Sequence, residues 1–184
     1  MPDLIYAPMG SLDGYINDEQ GGFQWAAPDE DAHEAFNDLQ AATAVSLLGR
    51  RMYEVMRFWD SPDADEMDPI GRRFADAWRD TDKVVYSTTL DSVPEARTRL
   101  EPTFDPEAVR ALVAAAPRDV SIAGATLAAQ ALQAGLVDRL LLVLHPVVVG
   151  GGTRMLPDGL RLDLTLVDER RFDSGPVLLD YRRR

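Results

Sequence analysis

Two arginines stand where an apolar run stops. In AVSLLGRRMYE, Ala44 to Glu54, the run ends at Gly49, and Arg50 and Arg51 open a stretch that reads as a helix. A helix N-terminus carries roughly half a positive charge, so guanidinium groups there either turn into water or answer to an anion. Arginine grips phosphate through a planar pair of N–H donors. Two other strand ends carry related chemistry. Ser87, Thr88 and Thr89 follow KVVY with three hydroxyls, and Ala123, Gly124, Ala125 and Thr126 follow VSI with small residues that let backbone amides approach a ligand. Each piece alone also makes a good cap or tight turn. Together the three describe a clamp for a polyphosphate cofactor.

The usual nucleotide motifs are absent. There is no G-x-x-x-x-G-K-[ST] and no G-x-G-x-x-G, and VVVGGGTRML (Val147 to Leu156) has the spacing of neither. A G-x-S-x-G elbow and a cysteine nucleophile are missing too, which leaves hydrolase chemistry unsupported.

The elements that would position these groups alternate between strand and helix. DLIYAPM (Asp3 to Met9) reads as a strand, followed by a loop with turns at Asp13-Gly14 and Gly21-Gly22. A helix starts at Pro28-Asp29 and runs to about Thr43, with Ala32, Ala35, Phe36 and Leu39 on one buried face. AVSLL is a buried strand, Asp60 to Pro69 an acidic loop, Pro69 to Arg79 a helix and KVVYS a strand. Asp105-Pro106 caps another helix, VSIAG is a strand, and ATLAAQALQAG is a helix closed by Gly135. VDRLLLVLHPVVVG is a long strand region broken near Pro146, and two alternating strands joined through Asp173-Ser174-Gly175 end the chain as a hairpin. This alternation predicts one α/β domain over residues 1–184, with a mixed, mostly parallel sheet flanked by helices and a C-terminal antiparallel hairpin. In such sheets ligands bind beyond the carboxyl ends of the parallel strands.

Composition narrows the chemistry. With 184 residues, 46% hydrophobic and 27% charged, the chain can bury one substantial core. It has no cysteine, and two histidines, His33 and His145, are too few for a zinc site, so no metal is expected. A net charge of -12 repels nucleic acid and anionic membranes. No apolar run reaches the ~18 residues of a membrane span, and the N-terminus has no basic region ahead of an apolar one, so a cytoplasmic protein is expected.

SLDGYI, LLGRRMYE, KVVYSTTL, the run from IAGATLAAQALQAGLVD to VVVGGGTRML, and SGPVLLDYRRR resemble the reductase domain at the C-terminus of the bifunctional riboflavin-biosynthesis deaminase-reductase, in order and over nearly the whole chain. The sequence is similar to stand-alone members of that family. The resemblance implies a dihydrofolate reductase-like fold and NADPH as cofactor. It makes Arg50 the ligand of the adenosine 2′-phosphate with Arg51 assisting, sets Gly49, Ser87 and Thr88 beside that phosphate, and puts Ala123, Gly124, Ala125, Thr126 and Leu127 under the pyrophosphate. Ala123 stands where the family has the first glycine of a pair that the dihydrofolate reductase fold joins by a cis peptide. Ser11, Asp13 and Gly14 match a mobile loop bordering the nicotinamide, and Trp25 matches an indole ahead of the substrate helix.

Folate reductases hold their pterin with a carboxylate on the first helix. Of Asp29, Glu30, Asp31 and Glu34 here, helical geometry puts Asp31 at the edge of the buried face, which makes it the candidate catalytic acid, with Asp13 as the second. Met56 and Trp59 are expected to line the substrate pocket, and His145 either sits in the core or faces the cleft. Arg57 and Arg154 are the available cations for a substrate phosphate. The resemblance implies reduction of a small heterocycle, with the ribosylaminopyrimidine of riboflavin biosynthesis as the reference. Dihydrofolate or another pterin, and a non-catalytic nucleotide-binding module, stay open. A homodimer is expected, with LLLVLHPVVV and the C-terminal hairpin as the pairing surface.

Overall fold

The computed structural model describes all 184 residues. Nine strands form one sheet, β1 (Leu4–Tyr6), β2 (Met9–Ser11), β3 (Thr43–Gly49), β4 (Asp82–Tyr86), β5 (Thr98–Glu101), β6 (Asp119–Ala123), β7 (Arg139–His145), β8 (Leu164–Arg171) and β9 (Val177–Arg183). The order across it is β5-β4-β3-β6-β1-β7-β9-β8, with β2 also on β7. All pairings from β5 to β7 are parallel; β9 runs antiparallel between β7 and β8. Five helices cover it, α1 (Glu30–Ala42), α2 (Arg50–Met56), α3 (Pro69–Asp80), α4 (Pro106–Ala115) and α5 (Ala125–Gln133).

Strand alternation divides the core between two faces. Leu4, Tyr6, Leu47, Val84 and Ile122 point to the side covered by α4 and α5, where Val109, Leu127 and Leu132 join them. Ile5 meets Ala32 and Phe172 on the opposite side, and Leu48 and Val85 meet Tyr53, Phe74 and Trp78 there. Aspartates cap three helices: Asp29, Asp68 and Asp105 accept from the amides of Ala32, Gly71 and Glu107, with Pro69 and Pro106 opening α3 and α4. α2 and α5 instead begin after Gly49 and Gly124 and have no side-chain cap.

The expected first strand divides at Ala7-Pro8, because proline has no N–H for the ladder, into β1 and β2. β5 was not readable as a strand: TRLE is mostly polar and only half-buried, an edge position that needs no apolar alternation. The stretch from Asp60 to Pro69, read as a loop, holds a 3₁₀ turn at Pro62–Glu66, just after another at Arg57–Asp60. β7 stops at His145. It lies between β1, β2 and β9, so LLLVLH has no free edge to offer a second copy; the outer edge on that side is β8. No helix is long and apolar enough to cross a membrane.

Lys83, the sole lysine, is buried on β4. Its Nζ donates to the Thr81 carbonyl at 3.0 Å, lies 4.9 Å from the Trp78 ring centre, and stands 3.9 Å from Asp60, whose other oxygen accepts from Trp78 Nε1 at 2.8 Å. Burial pushes its pKa below the ordinary lysine value, partly opposed by Asp60. The unfolded chain therefore binds the proton more readily between the two pKa values, and this residue's contribution favours the folded state increasingly as pH rises through that window. Urea unfolding of wild type and Lys83→Met from pH 7 to 10 is expected to show the wild type gaining relative to the variant, by at most about 1.4 kcal/mol per pH unit. A pH-independent difference would mean that Lys83 keeps an ordinary pKa.

Candidate functional site

The carboxyl ends of β1, β3, β4, β6 and β7 lie along one edge of the sheet. At the ends of β3 and β4 two of the expected residues, Arg50 and Ser87, converge with Thr89, to which the resemblance gave no role. Arg50 donates from Nη1 to Thr89 Oγ1 at 2.6 Å and from Nε to Glu54 at 2.8 Å, and Ser87 Oγ lies 3.3 Å from Thr89 Oγ1. Thr89 rather than Thr88 is thus the second hydroxyl beside Arg50. Ser87 Oγ also accepts from the Thr89 and Leu90 amides, and this turn swings Thr89 towards α2. Glu54, one helical turn on, answers part of the arginine's misplacement at the start of α2; Arg51 is exposed and forms no ion pair.

The β6 end lies against this group. Gly124 has φ +95°, and a Cβ there would come 3.5 Å from both the Gly49 nitrogen and Met52 Cβ. The backbones of Gly49 and Gly124 therefore meet with no side chain between them, and Ala125, Thr126 and Leu127 start α5 from that point. Contrary to the cis bond expected between Ala123 and Gly124, every peptide bond is trans. The positive φ of the glycine makes the bend instead.

Asp13 occupies a different place from that of a proton donor. It accepts from the amides of Val149 at 3.2 Å and Gly150 at 2.8 Å. The Ser11 hydroxyl, with these amides, holds its carboxyl below the usual carboxylate range. Its loop is laced to the glycine-rich turn further along: Leu12 N to Val147 O, Ile16 N to Thr153 O, Thr153 N to Asn17 Oδ1 and Met155 N to Gly14 O, all between 2.8 and 2.9 Å. A Cβ on Gly152 would fall 2.0 Å from the Asn17 carbonyl. GGGT thus serves close backbone contact within the protein. Ser11 is buried, with its Oγ accepting from the Tyr15 amide.

A cavity of ≈ 320 Å³ opens beside the end of β7. Trp25, Ala27, Pro28, Asp29, His145, Pro146, Val147, Ser174 and Pro176 line it. The hairpin turn after β8 brings Ser174 across, where its hydroxyl and its amide donate to Asp29. Those bonds, with the Ala32 amide, keep the Asp29 carboxyl below its ordinary pKa, so it is ionised near neutral pH. Burial lowers the His145 pKa, opposed by Asp29. Three strand spacings, roughly 14 Å at 4.8 Å each, separate the Arg50 end of β3 from this cavity.

Asp31 is not in it. The residue is exposed on α1 and lies 3.9 Å from Arg170, because the buried stripe passes through Ala32, Asn37 and Gln40. Asp29, taken as an ordinary member of an acidic run, faces the cavity as the helix cap. Met56 and Trp59 also miss it: both pack against the Tyr53–Phe74–Trp78 cluster, with the Trp59 ring 4.7 Å from Phe74. Arg57 and Arg154 are engaged by Glu95 and Asp158.

The RibD C-terminal domain family model matches residues 2–178. The chain belongs to the RibD C-terminal domain family. The Bacillus subtilis (strain 168) protein YyaP is 28% identical over 176 residues, 93% of this chain and 89% of that protein. The fold is shared with a Shewanella sp. PV-4 protein named for riboflavin biosynthesis, at a TM-score of 0.78, 20% identity and 99% coverage of both chains. It is also shared with the Thermotoga maritima diaminohydroxyphosphoribosylaminopyrimidine deaminase/5-amino-6-(5-phosphoribosylamino)uracil reductase, at 0.70 and 14% identity, over 100% of this chain and 57% of that one. The single α/β domain with its mixed sheet and terminal hairpin is the architecture expected for a RibD C-terminal domain.

Proposed function

We propose that this RibD C-terminal domain protein is an NADPH-dependent reductase of a small heterocyclic substrate. The observation that carries the reading is the meeting of Arg50, Ser87 and Thr89 at the ends of β3 and β4, on the same sheet edge as a cavity with polar lining. The donor set suits a phosphorylated dinucleotide: a guanidinium and two hydroxyls for a phosphate, and the side-chain-free contact of Gly49 with Gly124 where backbone amides must come close. NADPH, when bound, supplies a hydride. The protein's share is orientation and exclusion of water: Trp25 and the three prolines wall the cavity, and Asp29 and Asp13, both ionised, are not proton donors near neutral pH. The expected homodimer remains part of the proposal, with β8 and its exposed Leu166 and Val167 as the contact.

Incubation of the purified protein with NADPH and candidate pyrimidines or dihydropterins is expected to show substrate-dependent loss of the reduced-nicotinamide absorbance. Tight NADPH binding with no turnover on any of them would instead favour the nucleotide-binding module.

A further inference from the structure

Two buried nitrogens without partners flank the same cavity. Nε1 of Trp25 and Nε2 of His145 make no hydrogen bond, and their rings stand edge to face with centres 6.1 Å apart. His145 is 4% exposed, so its nitrogen does not turn out to bulk solvent. Leaving such groups unmet is costly, and native proteins rarely do so without a ligand or water to meet them. The indole can only donate; a neutral imidazole has one donor and one acceptor nitrogen. Burial keeps His145 neutral near pH 7. The charge that remains at the cavity wall is the Asp29 carboxylate, and no lysine or arginine lines it. Pro28, Pro146 and Pro176 add apolar walls that offer no N–H donor. A phosphate entering here would face a like charge with no cation to offset it.

We propose that this cavity takes an uncharged, planar nitrogen heterocycle, which offers a carbonyl to the Trp25 N–H and an adjacent ring nitrogen to His145, and that Asp29 makes it discriminate against the phosphorylated form of the same molecule. The proposal rests on the reductase reading in taking the cavity as the substrate's side of the site, and it names the substrate class. In it Asp29 sets specificity through its charge.

Calorimetry with uracil, uridine and uridine 5′-phosphate as probes, on the wild type, Trp25→Phe and Asp29→Asn, tests it without any cofactor. Uracil and uridine are expected to bind within a few-fold of each other, and the nucleotide about tenfold or more weaker. Trp25→Phe keeps the ring and deletes the N–H, and is expected to weaken uracil and uridine by about three- to tenfold. Asparagine is as good a helix cap as aspartate, so Asp29→Asn keeps α1 and is expected to shrink the uridine-to-nucleotide gap to below about threefold. Nucleotide binding as tight as uridine, a gap unmoved by Asp29→Asn, an unchanged Trp25→Phe, or no saturable binding of any probe would each overturn the proposal. Separate NADPH titration keeps the readings apart: the probes failing while NADPH binds sinks this inference alone, and the reverse sinks the cofactor assignment alone.

Discussion

Arg50→Ala is expected to weaken NADPH binding by about 10- to 100-fold while leaving NADH within about threefold of wild type. The side chain is half exposed and already held by Glu54 and Thr89, so its guanidinium is oriented before any ligand arrives. A pre-oriented fork loses little rotamer freedom on binding. A charge-assisted bond to a phosphate contributes about 1.5–3 kcal/mol, which is the fold-change above. NADH has no 2′-phosphate and cannot register the loss. Glu54 competes with the incoming phosphate for Arg50, so Glu54→Gln is expected to tighten NADPH binding modestly, more at low salt than at high. Titration of both cofactors against the three proteins decides the matter. An NADPH affinity unchanged in Arg50→Ala would remove the phosphate clamp from the ends of β3 and β4.

The clamp was legible because its residues are neighbours in sequence at strand ends, and strand ends can be read from apolar runs. Gly49, Arg50 and Ser87 announce themselves that way, and the register of β3 on β4 places Gly49 opposite Tyr86. Thr89 was passed over in favour of Thr88 because the direction of a hydroxyl within a turn depends on the Ser87 cap, which three successive hydroxyl residues do not reveal. The cavity was harder still. Trp25 was a candidate, but Asp29, His145 and Ser174 come from three distant segments, and only the mixed topology brings the β8–β9 turn over the end of β7. Helical periodicity favoured Asp31 over Asp29 because it treats both as members of α1. Asp29 is outside the helix, in extended backbone at its cap, where the 100° rule does not apply. The glycine-rich turn was noticed and had no assignment; its reason is the Asn17 carbonyl, 135 residues back along the chain from Gly152, a contact that local sequence does not encode.

Asp180→Ala is expected to lower stability by about 3 kcal/mol, or about 6–12 °C in Tm for a chain of this size. Asp180 is 3% exposed on β9 and receives both prongs of Arg139, Nε at 2.8 Å and Nη2 at 2.6 Å. Alanine leaves that guanidinium without its carboxylate beneath the β7–β9 ladder. Arg139 retains 27% side-chain exposure, so water recovers part of its solvation, which holds the expected loss at the lower end of the range for broken buried pairs. Asp180→Asn is expected to cost less, since one oxygen still accepts. Replacing both partners, as Arg139→Met with Asp180→Leu, is expected to recover most of the loss, because no charge is then left buried. Urea unfolding of wild type, Arg139→Met, Asp180→Leu and the double variant closes a double-mutant cycle. Salt is expected to change the coupling little, as the pair is shielded from counterions. Asp180 pairs in register with Leu141, four residues or roughly 13 Å of strand from His145. The single variants are therefore expected to keep wild-type affinity for NADPH and for uridine at temperatures where they remain folded. A stability change under about 1 kcal/mol would reduce this pair to the level of a surface contact, and a parallel loss of ligand affinity would mean that the end of β7 depends on the whole antiparallel half of the sheet.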